Sequence, residues 1–181
     1  TANSQIKKKR IGGIFLYLYI NGKLKNQSKL KVYKKFKMQI SIRIAHINDA
    51  EFLTKLSNQL GYETRNTDIQ NRLKKILIHS DNCVYVALEN EKIVGWIHGF
   101  YSLRIESDFF VEIGGLVVDE NFRKNGIGKK LVAKVIEWST LKECKKVRVR
   151  CNVTRKESHK FYENIGFEIN KKQKIFIKIV D

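Results

Sequence analysis

The sequence has no proline, and cysteine, methionine and tryptophan are scarce among its 181 residues. Three cysteines, Cys83, Cys144 and Cys151, cannot all pair within one chain and show no C-x-x-C spacing, so neither a disulfide framework nor a zinc site is indicated. The four histidines show no metal-ligand spacing either, and we expect no bound metal. Free cysteines are typical of a reducing environment, which predicts a cytoplasmic location.

Acidic residues are missing from positions 1–37, where eleven Lys or Arg residues occur. The formal charge of the chain is +18, of which only +7 belongs to residues 38–181. The apolar run at 11–20 is shorter than the ~20 residues of a membrane-spanning helix, and no signal-peptide cleavage pattern follows it. We interpret 1–37 as a basic N-terminal appendage, either a leader or additional upstream sequence, with a membrane or polyanion anchor as the alternative.

Residues 38–181 begin at the single methionine and have the length of one domain, for which we expect no membrane contact. Their hydrophobic pattern predicts strands at 39–45, 83–88, 93–100, 109–118, 145–153 and 174–180, and helices at 48–60, 67–77, 126–142 and from 154 to near Gly166. The helix at 126–142 is expected to face inward with Leu131, Val132, Val135, Ile136 and Trp138. The order β-α-α-β-β-β-α-β-α-β predicts an α/β fold with a mixed central sheet flanked by helices.

Two common nucleotide-binding motifs are missing, namely the Walker phosphate loop and a G-x-G-x-x-G within a βαβ unit. The segment "RKNGIGKK" (123–130) nevertheless joins the apolar strand "EIGGLVV" (112–118) to a helix. A helix start directs unpaired N–H groups and the positive end of its dipole at one point, where phosphate binds readily. Phosphate binding is therefore one interpretation of this segment, and a solvated basic helix start is the other.

A pair of glycines, Gly114 and Gly115, lies inside the strand predicted at 109–118. Glycine weakens a buried strand unless the backbone bulges or another group approaches closely. A bulge would release N–H groups near Leu116 to Val118 from strand pairing. Those donors would then be able to bind a carbonyl oxygen.

These motifs together resemble the GNAT superfamily of acetyl-CoA-dependent N-acetyltransferases. "RKNGIG" (123–128) matches the family signature Q/R-x-x-G-x-G/A, and "FYENIGF" (161–167) lies where the family has a similar segment. The resemblance covers about 40–180, including the predicted order of elements, and has no counterpart for the appendage. It implies direct transfer of an acetyl group from acetyl-CoA to an amine, with no metal, and a homodimer is common in the family.

The resemblance also implies roles for individual residues. The coenzyme A pyrophosphate would bind the backbone of Arg123, Lys124, Asn125, Gly126, Ile127 and Gly128, with Lys129 continuing the helix start. The pantetheine arm and the thioester carbonyl would contact the strand end formed by Leu116, Val117 and Val118. Many members have an Asn seven residues before the conserved tyrosine, where this chain has Arg155; Asn152 and Ser158 are candidate substitutes for that pantetheine contact.

Two residues are predicted to be catalytic. Tyr162 matches the tyrosine that protonates the departing thiolate, and its phenol, with an ordinary pKa near 10, is protonated at pH 7. An alkyl ammonium is neutral in only about one molecule in 2,500 at pH 7, so a base must act before attack. Glu112 resembles in position a glutamate that serves as base in some branches, and a salt-bridged carboxylate is the alternative interpretation. For His98, a position lining the acceptor side is the less favoured interpretation, and an ordinary strand position is the other.

The acceptor is predicted to be the primary amine of a small molecule. Glu63, Asp68, Glu106 and Asp108 lie in segments that the resemblance places at the acceptor entrance, where acidic side chains would favour a cationic amine such as an aminoglycoside or polyamine; ordinary surface charge is the other interpretation of these residues. The alternatives are acetylation of a peptide lysine or N-terminus, a basic module that binds nucleic acid, and a protein that binds acetyl-CoA without turnover. The 18 acidic residues of the predicted domain argue against nucleic acid as a partner.

Overall fold

The computed structural model describes residues 5–11, 14–20, 33–34 and 38–180. The chain forms two compact units, Thr1–Gln39 and Ile40–Asp181. The first unit contains three antiparallel strands in the order β1-β2-β3, namely β1 (Gln5–Ile11), β2 (Ile14–Ile20) and β3 (Tyr33–Lys34). The leader and anchor roles predicted for 1–37 fall in part on residues outside the described ranges.

The second unit is a five-stranded sheet with helices, and it confirms the predicted mixed α/β class. Its elements are β4 (Ile40–Ile44), α1 (Ala50–Asn58), α2 (Asn66–Leu77), β5 (Asn82–Glu89), β6 (Lys92–Ser102), β7 (Phe110–Val118), α3 (Ile127–Leu141), β8 (Val147–Val149) and α4 (Lys156–Asn164). The strand order is β4-β5-β6-β7-β8; the first four strands pair antiparallel, and β8 pairs parallel to β7. Among the described residues no helix is both long and apolar enough to cross a membrane.

The two faces of this sheet pack against different helices. A Cβ added to Gly99 would lie 2.8 Å from Val135 of α3, so β6 and α3 approach closely on one face. On the other face, Trp96 of β6 packs against a cluster that includes Leu53 of α1 and Leu73 of α2. Leu131, Val132 and Val135 of α3 are buried as predicted, whereas Ile136 is 43% exposed, so its predicted inward position was wrong.

The predicted final strand at 174–180 is not formed. These residues have no regular secondary structure, and their large apolar side chains are exposed, including Phe176 and Ile179 at 88% and 89%. The alternating sequence is typical of a strand, but a strand also needs a hydrogen-bonded neighbour, which a pattern of residues cannot supply. The predicted strand at 145–153 is likewise shortened to β8, and Val153 beyond it is 71% exposed.

A β-bulge interrupts the pairing of β6 with β7, as the glycine pair predicted. Gly99 pairs with Ile113 and His98 pairs with Gly115, so Gly114 is the extra residue. A Cβ on Gly115 would lie 2.8 Å from the Trp96 ring, a distance that real Cβ atoms do not reach. Close approach of this ring explains why a glycine follows the bulge.

Candidate active site

The carboxyl half of β7 has a partner on one side only in the described part of the chain. β7 pairs with β8 over Val111, Glu112 and Ile113, and β8 ends at Val149. β7 itself continues to Val118, paired with β6 throughout. Its last residues therefore border an open edge beside the start of α3, and we call residues 116–118 with this border the donor edge.

The bulge changes which backbone groups face the donor edge. Alternate residues of a strand direct their N–H and C=O groups to opposite neighbours. Val111 donates its N–H to Lys146 on the β8 side, whereas Asp119 donates to Val94 of β6. These two residues are an even number apart and would face the same neighbour in a regular strand, so the bulge has shifted the alternation by one residue.

As a result, Leu116 and Val118 direct their backbone groups to the donor edge, and Val117 faces β6. The Val118 carbonyl accepts a hydrogen bond from Arg123 Nε at 3.2 Å, which fits this direction. Val117 is 2% exposed and anchors the strand in the core. The structure thus brings together the predicted strand end and the predicted basic segment.

The turn before α3 has a backbone that suits a ligand on its outer side. Lys124 and Gly126 both have positive φ, of 62° and 77°. Nothing lies within 4 Å of a Cβ added to Gly126, so its glycine is required by the left-handed backbone and leaves open space. Asn125 donates to the carbonyls of Phe122 and Arg123 at 3.1 Å and holds the turn. Open space before a helix N-terminus is suited to an anion.

The next residues divide between packing and exposure. Ile127 is 1% exposed, and a Cβ on Gly128 would lie 3.0 Å from the Phe161 ring of α4. Gly128 therefore permits close packing of α3 against α4, rather than only the approach of a ligand. Lys124 and Lys129 are exposed. They add positive charge at the helix start.

Tyr162 lies in α4 within a small aromatic group. Its ring makes edge contacts with Phe161 at 5.1 Å and Phe167 at 5.5 Å between centroids. Burial raises the pKa of Tyr162 to about 12, and the nearby Cys151 thiol acts in the same direction. The phenol is therefore protonated across the physiological range and can serve as a proton donor.

Glu112 is buried, with only 3% of its surface exposed. Arg148 donates from Nε and Nη2 to Oε2 at 3.2 and 2.5 Å, and Arg150 donates from Nε to Oε1 at 2.6 Å. Both carboxylate oxygens are thus engaged by guanidinium groups, which leaves less capacity to take a proton from an amine. This geometry favours the ion-pair interpretation of Glu112, and its role as a base stays a prediction.

His98 lies beside the bulge, on the face of the sheet opposite α3. A Cβ on Gly114 would lie 3.2 Å from His98 Nδ1 and 3.1 Å from the Phe100 ring. The opposite nitrogen, Nε2, is 3.0 Å from Asn82 Oδ1, and in the tautomer that donates to this carbonyl oxygen Nδ1 has the lone pair. Burial lowers the pKa of His98, which keeps the ring neutral at pH 7. We call this sheet surface, with His98, Phe100 and the bulge, the acceptor face.

Three further predicted residues lie at or near the start of α4. Asn152 accepts hydrogen bonds from the N–H and hydroxyl of Thr154 at 3.0 and 2.9 Å. Arg155 reaches the Leu60 carbonyl at 3.5 Å and thereby links α4 to the end of α1. Ser158 is half-buried in the first turn of the helix. The structure places these residues near one another, and their contact with a pantetheine arm stays a prediction.

The acidic residues predicted at the acceptor entrance are partly neutralised. Asp68 pairs with Arg65 at 3.1 Å, and Glu106 pairs with Arg104 at 3.5 Å. Glu63 and Asp108 are exposed. In the described ranges no group of His, Cys, Asp and Glu side chains is arranged to hold a metal ion. An ammonium ion would therefore meet less negative charge at this entrance than the sequence indicated.

Sequence reasoning missed Arg148, Arg150 and Asn82 as site residues. The arginines alternate with Val147 and Val149 in "VRVR", so the sequence did place both on one face of a strand. What it did not provide was the neighbouring strand, and hence the shared contact with Glu112. Asn82 has no local signal, because its partner His98 is sixteen residues away.

Comparison with known proteins agrees with this geometry. Residues 46–167 match the family model described as "Acetyltransferase (GNAT) family". A solved structure of the aminoglycoside N-acetyltransferase AAC(6')-Iy in complex with CoA superposes with a TM-score of 0.72 at 21% identity, covering 81% of this chain and 99% of that one. The likeness in structure extends to the whole fold of that protein.

Two curated relatives are similar over shorter segments. N-acetylaspartate synthetase of Xenopus tropicalis is 29% identical over 102 residues, which cover 56% of this chain and 36% of the relative. N-alpha-acetyltransferase 30 of Homo sapiens is 40% identical over 60 residues, covering 33% of this chain and 17% of the relative. The chain thus spans about a third or less of the curated relatives it matches.

Proposed function

The chain belongs to the GNAT family of acetyltransferases, and from this premise we propose that it is an N-acetyltransferase that transfers the acetyl group of acetyl-CoA directly to the primary amine of a small molecule. The observation that carries the proposal is the donor edge, where the bulge turns the backbone of Leu116 and Val118 toward the open side of the sheet. The basic turn before α3 borders the same edge.

The residues at this edge fit coenzyme A. Its pyrophosphate would lie against the N-terminus of α3, where N–H groups lack intrahelical partners and Gly126 leaves open space. Arg123, Lys124 and Lys129 are exposed around this turn and supply positive charge. Bound there, acetyl-CoA supplies a thioester, the activated form of the acetyl group.

Backbone donors at the donor edge would stabilise the charge that develops on the thioester oxygen. The Leu116 N–H points away from β6 and is fixed by the strand, so it needs no reorganisation during the reaction. Removing one such donor from an enzyme of acyl transfer typically costs about 10²–10³-fold in rate. This contribution comes from the main chain and does not depend on the identity of the side chain.

Proton transfer would involve one residue of α4 and two candidate residues of the acceptor face. Tyr162, whose pKa of about 12 keeps it protonated, would give its proton to the departing thiolate. The predicted base is Glu112, and His98 is a second group that can accept a proton, through Nδ1. His98 is neutral at pH 7 because burial lowers its pKa. Neither assignment requires a covalent acyl-enzyme.

The identity of the acceptor amine is the more specific part of the proposal. An aminoglycoside or polyamine was predicted from four acidic residues, but two of these are paired with arginine. A second candidate function, acetylation of a peptide N-terminus, is favoured by the similarity to N-alpha-acetyltransferase 30 of Homo sapiens over 60 residues. The similarity to N-acetylaspartate synthetase favours a small molecule.

The test is acetyl-CoA-dependent release of free thiol by the full chain, measured against amines of each class. The panel would contain aminoglycosides, polyamines, amino acids and peptides with free N-termini, with acetyl-CoA binding measured in parallel by calorimetry. Turnover with a small-molecule amine supports the proposal. Turnover with peptides alone would assign the second function, and failure to bind acetyl-CoA would refute both.

A further inference from the structure

Two arginines share one buried carboxylate on the acceptor face. Arg148 and Arg150 both bind Glu112, which is directly opposite Phe100 in the pairing of β6 with β7. Residues directly opposite on paired strands project to the same side of the sheet. The cluster of Glu112, Arg148 and Arg150, which we call the arginine cluster, therefore lies on the same face as His98 and the bulge.

The arginine cluster has more positive charge than Glu112 neutralises and more N–H donors than its carboxylate accepts from. Two guanidinium ions face one carboxylate, which leaves one positive charge in excess. A guanidinium has five N–H donors, and Arg150 uses only Nε toward Glu112. The Arg150 side chain is 55% exposed, so its remaining donors can reach a ligand. Planar paired donors of this kind suit a carboxylate.

The cluster is also held in place before any ligand arrives. The Arg148 guanidinium lies 3.9 Å from the centre of the Phe110 ring, and Arg104 covers the same ring at 5.5 Å. Phe110 itself is 3% exposed and is part of the core. Because Arg148 and Glu112 are fixed in this way, binding an anion costs little ordering of side chains.

The position of Arg150 relative to the donor edge sets a distance. Arg150 Nε lies 2.6 Å from Glu112 Oε1, and Glu112 precedes Leu116 by four residues on β7, one of which is the bulge residue. Four residues of strand span at most about 13 Å at roughly 3.3 Å per residue. An acceptor of this length or less can therefore place its amine at the donor edge and an anionic group at Arg150.

We infer that the arginine cluster selects acceptors that carry a carboxylate in addition to their reactive amine, with Arg150 binding that carboxylate and Glu112 orienting Arg150. The inference rests on the proposed acetyl transfer and names the class of amine it uses. It replaces the cationic amine expected from sequence, since Arg65 and Arg104 offset Asp68 and Glu106. Specificity here follows from charge-assisted hydrogen bonds that Arg150 makes only with an acceptor that carries a carboxylate.

The experiment compares amines in matched pairs with the full chain. Acetylation of glycine, β-alanine and L-aspartate is each compared with acetylation of the corresponding amide. The amide lacks one negative charge and keeps the amine. The variants are Arg150→Gln and a control, Arg72→Gln, which removes the same charge from an exposed position on α2. Thiol release gives kcat and KM for every pair.

Wild type should prefer the carboxylate member of at least one pair by about 10- to 100-fold in kcat/KM. Arg150→Gln should remove that preference by raising KM for the carboxylate member, with kcat and the amide little changed, whereas Arg72→Gln should preserve it. Equal rates for both members, or the same loss in the two variants, would overturn the inference and leave acetyl transfer standing. No thiol release with any amine would instead refute the proposed function.

Discussion

The donor edge and the acceptor face share strand β7, the first as a lateral edge and the second as a face of the sheet, yet they present different kinds of chemical group. The donor edge presents backbone groups of Leu116 and Val118 and the turn at Gly126, and its side chains serve mainly to pack. The acceptor face presents side chains, with Glu112 held by two arginines and His98 held by Asn82. Chemistry common to all acceptors can be fixed by a main chain, whereas recognition of one acceptor requires particular side chains.

This difference predicts that substitutions will act differently in the two regions. On the donor side they should act through an added Cβ, a changed φ or a lost proton donor. On the acceptor side they should act through charge, and so alter specificity, pH dependence and the pairing of buried ions.

The largest effect is expected from Tyr162→Phe, which removes the proposed proton donor and keeps the ring. Loss of general acid catalysis should lower kcat by about 10²–10⁴-fold, with acetyl-CoA affinity nearly unchanged. Wild type should show no alkaline loss from this group between pH 8 and 10, because its pKa is about 12. Tyr101→Phe, which removes a phenol hydroxyl near the C-terminal end of β6, is the control. Equal losses in kcat and affinity would mean that Tyr162 acts through packing.

Next in size is Glu112→Gln, which leaves Arg148 and Arg150 facing a neutral amide. Breaking a buried ion pair costs about 3–5 kcal/mol, and we expect the lower end because Arg150 is half exposed. Urea unfolding measures this loss. If Glu112 is also the base, turnover should fall even at temperatures where the variant is fully folded.

His98→Gln separates the two candidate bases. If His98 takes the proton, wild-type turnover should fall as the pH drops through its pKa, which burial places below 6.5, because the protonated ring cannot accept another proton. The variant should lose that acidic limb of the pH profile and most of its rate. An unchanged profile in His98→Gln, together with a collapsed rate in folded Glu112→Gln, would assign the base to Glu112.

The smallest effect is expected from Gly126→Ala. The left-handed backbone at φ 77° disfavours a Cβ by about 1–2 kcal/mol, and the methyl group would project where the coenzyme is proposed to lie. Gly61→Ala is a matched control, since Gly61 has φ 83° and equally open surroundings. Both variants should lose similar stability, and only Gly126→Ala should raise the KM for acetyl-CoA. A raised KM in both would indicate general destabilisation.

The donor edge could be predicted from sequence because its signals are local. Gly114 and Gly115 predicted a bulge, and the glycine turn after the strand predicted the start of a helix, which begins at Ile127. Each depends on backbone geometry that neighbouring residues determine. The mixed sheet was predicted for the same reason, from the order of short periodic segments.

The acceptor face and the end of the chain could not be predicted, because they depend on partners far away in sequence. Glu112 meets Arg148 and Arg150 across 36 and 38 residues, and no local pattern states that these strands are neighbours. The segment 174–180 has the alternation of a strand but no strand neighbour within the described residues. Helical spacing also does not determine how many residues on one side of a helix are buried. Ile136 was therefore predicted to be buried but is exposed.

The bulge at Gly114 affects how the results of mutating this chain should be interpreted. The groups at the donor edge are main-chain atoms, so a scan that replaces side chains one by one would leave most of them in place and report them as tolerant. Their orientation depends instead on the register of β7 with β6, in which Val117 pairs with Trp96 and the Leu116 N–H points away from β6. Because Gly114 is the extra residue of the bulge, its deletion would leave these pairs in place, whereas a slip of the whole register by one residue would turn the Leu116 N–H toward β6. Changes of strand register, rather than substitutions, are thus the changes to which this part of the chain is most sensitive.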